Sequence, residues 1–202
     1  MINEETEKVV ANISVDKPGS MALNPITQTL YVASEGSGGD MYVIDYSFPS
    51  ENKFIYTSTK FTVGAPGDVA VNPKTNIMVI VINGSTNTEV TNITDVNMSL
   101  GYISVNPNTD KVYVSSPSTN TVSVIDGKTD RIVKTINLDP GLSLIAVDPI
   151  TNIVYVTNYQ SRIVYVIDGK TDSVTAGVIF RVNTPASGDI VCNGKKISTM
   201  II

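Results

Sequence analysis

Residues 103–127, ISVNPNTDKVYVSSPSTNTVSVIDG, and residues 145–169, IAVDPITNIVYVTNYQSRIVYVIDG, decide the fold of this chain. Each stretch opens with an apolar segment that ends in Asn-Pro or Asp-Pro, continues through Val-Tyr-Val, and closes with Val-Ile-Asp-Gly. Because the blocks recur in the same order, they indicate an internal structural repeat. The repeat therefore has to be followed along the rest of the chain.

Weaker copies of the repeat flank these two stretches. The polar residue that ends each opening segment marks a copy, and the five markers are Asn24, Asn72, Asn106, Asp148 and Asn193. The intervals between successive markers are 48, 34, 42 and 45 residues. We expect each marker to form a structural turn, and we predict a degenerate repeat of about forty residues.

Each copy contains short apolar segments separated by Asn-Pro, Thr-Asn and Asp-Gly, which is typical of strands joined by turns. Branched residues recur at every second position, as in Val122 and Val124, so they share one face of a strand. Sheets of such strands must stack face to face, and radial closure protects their edges. The sequence therefore predicts an all-β protein and a β-propeller, with an antiparallel sandwich as the alternative.

The two ends of the chain look like complementary parts of one further blade. Residues 2–13 align without a gap with residues 125–136, which form the end of a third strand and a fourth strand. Residues 190–202 supply the first and second strands of a blade. We predict one domain over residues 1–202, a propeller of about five blades of three to four antiparallel strands. Its units are residues 17–60, 65–98, 100–138, 142–182, and 188–202 completed by 1–13.

In this arrangement the N- and C-terminal strands share one blade, and a ring that closes in this way is expected to be a monomer. The alternative is that the chain is a segment of a longer propeller, whose apolar end at residues 200–202 leaves a strand unprotected.

The charge content argues against two classes of partner. The chain is 16% charged with a formal net charge of -5, and its 14 Lys and Arg residues are scattered. Nucleic-acid binding needs a concentrated basic surface, so we expect no nucleic-acid partner. We also expect no membrane insertion, because the apolar runs are only strand-length, and no signal peptide is visible after Met1.

The chain contains no histidine. This removes the commonest general base and the commonest metal ligand. We therefore predict no catalytic residue, no metal site and no cofactor. Its one cysteine, Cys192, cannot form an internal disulfide, and a small buried apolar side chain in a first strand is its expected role.

Residues Tyr155 to Asn158 spell YVTN, and together with residues 105–107, 112–114 and 124–129 they resemble the YVTN-type β-propeller repeat. The resemblance covers almost the whole chain and is strongest from 102 to 182. It implies four-stranded blades. It also implies an extracytoplasmic or cell-surface location, since similar proteins are archaeal surface-layer-like or bacterial extracytoplasmic proteins with mostly adhesive or structural roles.

The same resemblance places one repeat position at a mouth of the central channel, one residue before the inner strand. Asp68 and Asp189 occupy this position, and Ser20, Tyr102 and Leu144 are their equivalents. Asp68, Asp189, Tyr102 and Ser20 are therefore the candidate residues for binding a polar ligand or a cation there, and solvated loop carboxylates are the alternative to such a site.

Two other features recur. Asp126 with Asp130, and Asp168 with Asp172, bracket a Gly-Lys-Thr turn; we expect Asx turns, with calcium as the lesser alternative because the lysine opposes a cation. The second predicted strand carries a recurrent tyrosine that we expect to pack between blades, at Tyr31, Tyr113 and Tyr155.

These observations predict a noncatalytic binding or scaffold module, not an enzyme. We expect protein–protein or cell-surface structural interactions, with an unknown protein or a surface glycan as partner. The alternative is a hydrolase, similar to lactonases, with a metal or carboxylate site at the channel mouth. That alternative needs several acidic groups to converge, and Asp68 and Asp189 are the candidates.

Overall fold

The computed structural model describes residues 2–3, 8–9, 11–36, 38–50, 53–63, 66–74, 77–82, 101–179, 190–192 and 195–197. Within these ranges the ordered elements are all strands, and no membrane-spanning helix is found there. In chain order the strands are β1 (Ile2–Asn3), β2 (Lys8–Val9), β3 (Pro18–Asn24), β4 (Thr29–Ser34), β5 (Asp40–Ser50), β6 (Lys53–Thr62), β7 (Pro66–Asn72), β8 (Ile77–Ile82), β9 (Tyr102–Asn106), β10 (Lys111–Ser116), β11 (Thr121–Asp126), β12 (Arg131–Asn137), β13 (Leu142–Asp148), β14 (Ile153–Asn158), β15 (Ile163–Asp168), β16 (Ser173–Ile179), β17 (Ile190–Cys192) and β18 (Lys195–Ile197).

The strands form antiparallel sheets of neighbouring chain segments. Three sheets have four strands each, in the order β3-β4-β5-β6 (sheet 1), β9-β10-β11-β12 (sheet 3) and β13-β14-β15-β16 (sheet 4). Strands β7 and β8 pair as sheet 2, and residues 83–98 of the predicted second repeat unit lie outside the described residues. The prediction of an all-β protein with antiparallel strands is confirmed.

The strands begin and end where the sequence punctuates them. In sheet 3, Tyr113 lies opposite Val124, so apolar residues from neighbouring strands share one face. The four-residue turns end in a residue with positive φ, such as Asn120 at 57° and Asp130 at 54°. Asn and Asp tolerate this left-handed conformation better than other residues with side chains, which explains why they recur at the turns.

The core lies between successive sheets. Tyr31, Met41 and Val69 are buried between sheets 1 and 2, and Ile103 and Val114 are buried in the cluster where sheet 3 meets Ala70 of sheet 2. The largest cluster lies between sheets 3 and 4, where its members are buried on both sides: Tyr113, Val122, Val124, Ile136, Leu142, Ile145, Val154, Val156, Tyr165 and Ile167. Each sheet therefore covers a face of the sheet before it.

The recurrent tyrosines do not all behave as predicted. Tyr31 and Tyr113 are buried between sheets, at 8% and 0% exposure, whereas Tyr155 is 38% exposed. Tyr155 lies on the face of sheet 4 opposite to the one that packs on sheet 3. Because no four-stranded sheet follows sheet 4 among the described residues, this face keeps its solvent exposure.

The hairpins at the two ends of the chain form separate two-stranded sheets, β1-β2 and β17-β18. In β1-β2, Ile2 pairs with Val9 and Asn3 with Lys8, the register that joins Ile125 to Ile132 and Asp126 to Arg131 in sheet 3. This supports the alignment of the N-terminal hairpin with third and fourth strands. In β17-β18, Cys192 pairs with Lys195 across residues 193–194, a shorter connection than the four residues between Asn106 and Lys111.

Candidate functional site

A β-bulge shapes the start of the first strand in three sheets. The pairing register shifts between Pro18 and Met21, between Pro66 and Val69, and between Leu142 and Ile145. Ser20, Asp68 and Leu144 lie in these bulges, inside the strands and not one residue before them as predicted. The extra residue of a bulge re-aims the side chains around it, so one structural device presents the recurrent position in all three sheets.

Asp68 uses both carboxylate oxygens to connect three sheets. Its Oδ1 accepts hydrogen bonds from the Ser20 hydroxyl of sheet 1 and, at 2.9 Å, from the backbone N–H of Val69. Its Oδ2 accepts from the backbone N–H of Ile103 in sheet 3 at 2.9 Å. The structure thus brings together Ser20 and Asp68 of the predicted site and adds two backbone donors that the sequence did not reveal.

The other predicted members of this site differ in their placement. Tyr102 is the first residue of β9, directly before Ile103, and is 39% exposed. Leu144 at the equivalent position in sheet 4 is also exposed. Asp189 lies outside the described residues. In the part of the chain that the structure describes, no group of three His, Cys, Asp or Glu side chains is arranged to hold a metal ion.

The turn markers have a second role besides the predicted turn. The Oδ1 atoms of Asn24, Asn72, Asn106 and Asp148 each accept from the backbone N–H two residues later, which forms an Asx turn. Two of these side chains also donate to the next sheet: Asn72 Nδ2 to Asp110 Oδ1 and Asn106 Nδ2 to Asn152 Oδ1, both at 2.7 Å. The marker is therefore also a link between sheets, and Asn193 lies outside the described residues.

Lys111, Tyr113 and Asp172 form a partly buried polar cluster between sheets 3 and 4. Lys111 Nζ donates to Asp172 Oδ2 at 2.7 Å and to the carbonyl of Gly169 at 2.9 Å, and the Tyr113 hydroxyl donates to Asp172 Oδ1 at 3.2 Å. Burial, reinforced by the Asp172 carboxylate, raises the pKa of Tyr113 above its ordinary value. The hydroxyl therefore stays protonated and acts as a donor.

The aspartates around the Gly-Lys-Thr turns fall into two kinds. Asp126 and Asp168 form the predicted Asx turns, accepting from the backbone N–H of Lys128 and of Lys170. The backbone N–H of Thr129 is the main cause that lowers the pKa of Asp126. Asp130 and Asp172 differ from the prediction, because they occupy the left-handed end of the turn, with φ of 54° and 51°.

A second tyrosine joins two segments across the same interface. The hydroxyl of Tyr165 in β15 donates to Asp139 Oδ2 at 2.6 Å, in the connection between β12 and β13. Burial, followed by this hydrogen bond, raises the pKa of Tyr165. The polar contacts found at this interface thus hold adjacent repeats together.

Comparison with known proteins adds little to this picture. No family model matches the chain, and no curated protein matches it. Among solved structures, the chain is similar to Kuenenia stuttgartiensis hydrazine synthase at 15% sequence identity and a TM-score of 0.40. The match covers 84% of this chain and 37% of the hydrazine synthase chain, and a similarity of this level assigns neither a fold family nor a function.

Proposed function

We propose that this protein is a noncatalytic binding or scaffold module built on a β-propeller. The observation that carries the proposal is the use of its recurrent polar side chains. Asp68, Asn72 and Asn106 each hydrogen-bond to a neighbouring sheet. These residues maintain the stacking of repeats, so the recurrent polar groups serve the architecture of the protein and are already engaged by its own atoms.

The propeller is supported by the way in which first strands meet. β3 contacts β7, β7 contacts β9, and β9 contacts β13. In a propeller, the first strands of successive blades contact one another around a central axis. In this proposal sheets 1 to 4 are consecutive blades, and their first strands surround the axis.

The structure records the hairpins β1-β2 and β17-β18 as separate two-stranded sheets, and in this proposal they come together as the fifth blade. Tyr155 on the open face of sheet 4 is the repeat equivalent of Tyr113, which sheet 4 buries completely in sheet 3. The face of sheet 1 that points away from sheet 2 carries Met21 and Leu23, which are 65% and 48% exposed. Val32 and Ile44 on the same face are buried. A blade between sheets 4 and 1 covers the exposed apolar residues on both faces.

The binding surface that we propose is the set of first-strand starts around Asp68. Tyr102 and Leu144 are exposed there, and an exposed aromatic ring next to polar groups suits a protein or a surface glycan partner. Asp68 is a poor candidate for catalysis, since both its oxygens accept hydrogen bonds from the protein itself. An extracytoplasmic or cell-surface location belongs to the same proposal.

A hydrolysis assay tests the noncatalytic character. The protein is incubated with a panel of γ- and δ-lactones and aryl esters, with and without added divalent metal, beside the variant Asp68→Asn. We expect no turnover above background in any sample. Metal-dependent hydrolysis that disappears in Asp68→Asn contradicts the proposal and supports a hydrolase.

A glycan array tests the class of partner. If a glycan binds at the first-strand starts, Tyr102→Ala abolishes binding, and Tyr56→Ala, at an exposed tyrosine in the last strand of sheet 1, leaves it unchanged. Equal losses in both variants contradict binding at this surface, and a wild-type protein that binds no glycan favours a protein partner.

A further inference from the structure

The outer edges of the four-stranded sheets differ in charge. Among the strands that the structure describes, β6, β12 and β16 are each last in their sheet and pair with one neighbour. β6 carries Lys53 and Lys60, and β12 carries Arg131 and Lys134. Charged residues on an edge strand oppose pairing with another edge. β16, with the sequence SVTAGVI, carries no charge and no proline.

The edge of β16 is also open to solvent. Residues 173–177 are all exposed, and Val174 is 42% exposed. An edge strand presents a row of backbone N–H and C=O groups that no neighbour satisfies on its outer side. Val, Thr and Ile favour extended structure, and the small Ala176 and Gly177 leave room for another backbone.

We propose that β16 pairs antiparallel with β16 of a second copy of this chain, so that sheet 4 continues across a two-fold axis. Antiparallel pairing of identical strands satisfies both edges with the same contacts, and the missing charges remove the repulsion that β12 against β12 would suffer. The inference rests on the proposed scaffold role and gives it a partner, because a structural module needs contacts between its copies.

The contact is small. Two strands of seven residues bury less than the roughly 1,000 Å² that marks a stable interface, so the dimer is expected to be weak and to form as concentration rises.

Pairing centred on the strand brings Ala176 opposite its own symmetry mate. Directly opposed residues in antiparallel strands lie about 4.5–5.5 Å apart at their Cα atoms, within the range that a disulfide spans.

The experiment combines solution mass with crosslinking. Light scattering of wild type should show a mass near 21.6 kDa when dilute and a rise toward twice this value between roughly 10 and 500 µM. Ala176→Lys should stay monomeric with an unchanged Tm, since it alters an exposed side chain and places like charges opposite each other in the proposed pair. In a Cys192→Ser background, Ala176→Cys should form a covalent dimer on mild oxidation.

Val133→Cys in the same background is the control, because it is exposed and lies in the charged edge strand β12. Equal crosslinking of Val133→Cys and Ala176→Cys indicates random collision and overturns the proposal. So does a wild type that stays monomeric throughout, or one that grows beyond a dimer, which points to contacts between sheet faces. None of these results produces hydrolysis of lactones, so failure here is distinct from failure of the noncatalytic function.

Discussion

The carboxylate of Asp68 and the backbone N–H of Ile103 are joined by a 2.9 Å hydrogen bond across a sequence separation of 35 residues. The two residues belong to different repeats and to different sheets. The sequence predicted that Asp68 binds a ligand, but in the structure its carboxylate accepts hydrogen bonds from the protein's own backbone. Stacking between repeats therefore accounts for this polar residue without a bound molecule.

Asp68→Asn should destabilise the fold by about 1–3 kcal/mol, since the amide keeps the size of the carboxylate but has one acceptor oxygen and leaves a backbone donor unpaired. The free energy of unfolding in urea measures the effect. Ser20→Ala, which removes one hydroxyl donor, is the control and should cost about 0.5–1.5 kcal/mol. Equal stability of Asp68→Asn and wild type would refute the bridging role.

Asn106→Ala should cost more stability than Asp148→Ala, although both remove an Asx turn. Asn106 is fully buried and also donates to Asn152, whereas Asp148 bonds locally to Ile150 and Thr151. A lost hydrogen bond at a buried site costs about 1–3 kcal/mol. Thermal and urea unfolding of the two variants give the difference, and a larger loss in Asp148→Ala speaks against a link between sheets.

Tyr113→Phe should lower the free energy of unfolding at neutral pH by about 1.5–3 kcal/mol, because it removes a hydrogen bond to a charged group. The pKa of Tyr113 is raised in the folded state, so the unfolded chain releases this proton first as pH increases. The stability that Tyr113 contributes is therefore complete below its ordinary pKa near 10 and declines above it.

Urea unfolding of wild type and Tyr113→Phe at pH 8, 9, 10 and 11 checks this sign. The two stabilities should converge as the pH passes 10. A gap that widens with pH is incompatible with a raised pKa of Tyr113.

Gly101→Ala should destabilise sheet 3, because a Cβ at this position would collide with the carbonyl oxygen of Ser115 on the adjacent strand. Overpacking of this kind costs about 1–3 kcal/mol. Gly38→Ala is the control, since its Cβ would lie 3.4 Å from Asp40 Oδ1, an ordinary contact. Thermal unfolding of the two variants measures the difference, and we expect a lower Tm for Gly101→Ala. Similar Tm values for both variants would argue against close packing at Gly101.

The sequence predicted the strands because their signal is local. Alternation at Val122 and Val124 and the Asx turns at Asn106 and Asp148 depend on residues within one hairpin. The bulge at Asp68 could not be predicted in this way, since it appears only when two strands pair. The three matching shifts in register became visible from the backbone alone.

Contacts between repeats could not be predicted from local sequence patterns either. Asn72 bonds to Asp110 across 38 residues, and Tyr113 to Asp172 across 59 residues. One sequence signal for these contacts was present. The acceptors Asp110 and Asn152 occupy the same repeat position, since each is the last residue of the turn between a first and a second strand. The exposure of Tyr155 was missed because the pattern of a strand does not say whether another sheet follows it.

The central claim is that the two chain ends complete one sheet, and a distance between spin labels at Lys8→Cys and Lys195→Cys in a Cys192→Ser background tests it most directly. In sheet 4, Ile153 and Ser173 lie two strands apart at the same level, and labels at these two positions serve as the reference. Two strand spacings are about 10 Å. We predict matching dipolar broadening for both pairs in dilute, monomeric protein. A spectrum for the 8 and 195 pair that equals the sum of its single-label spectra would contradict closure.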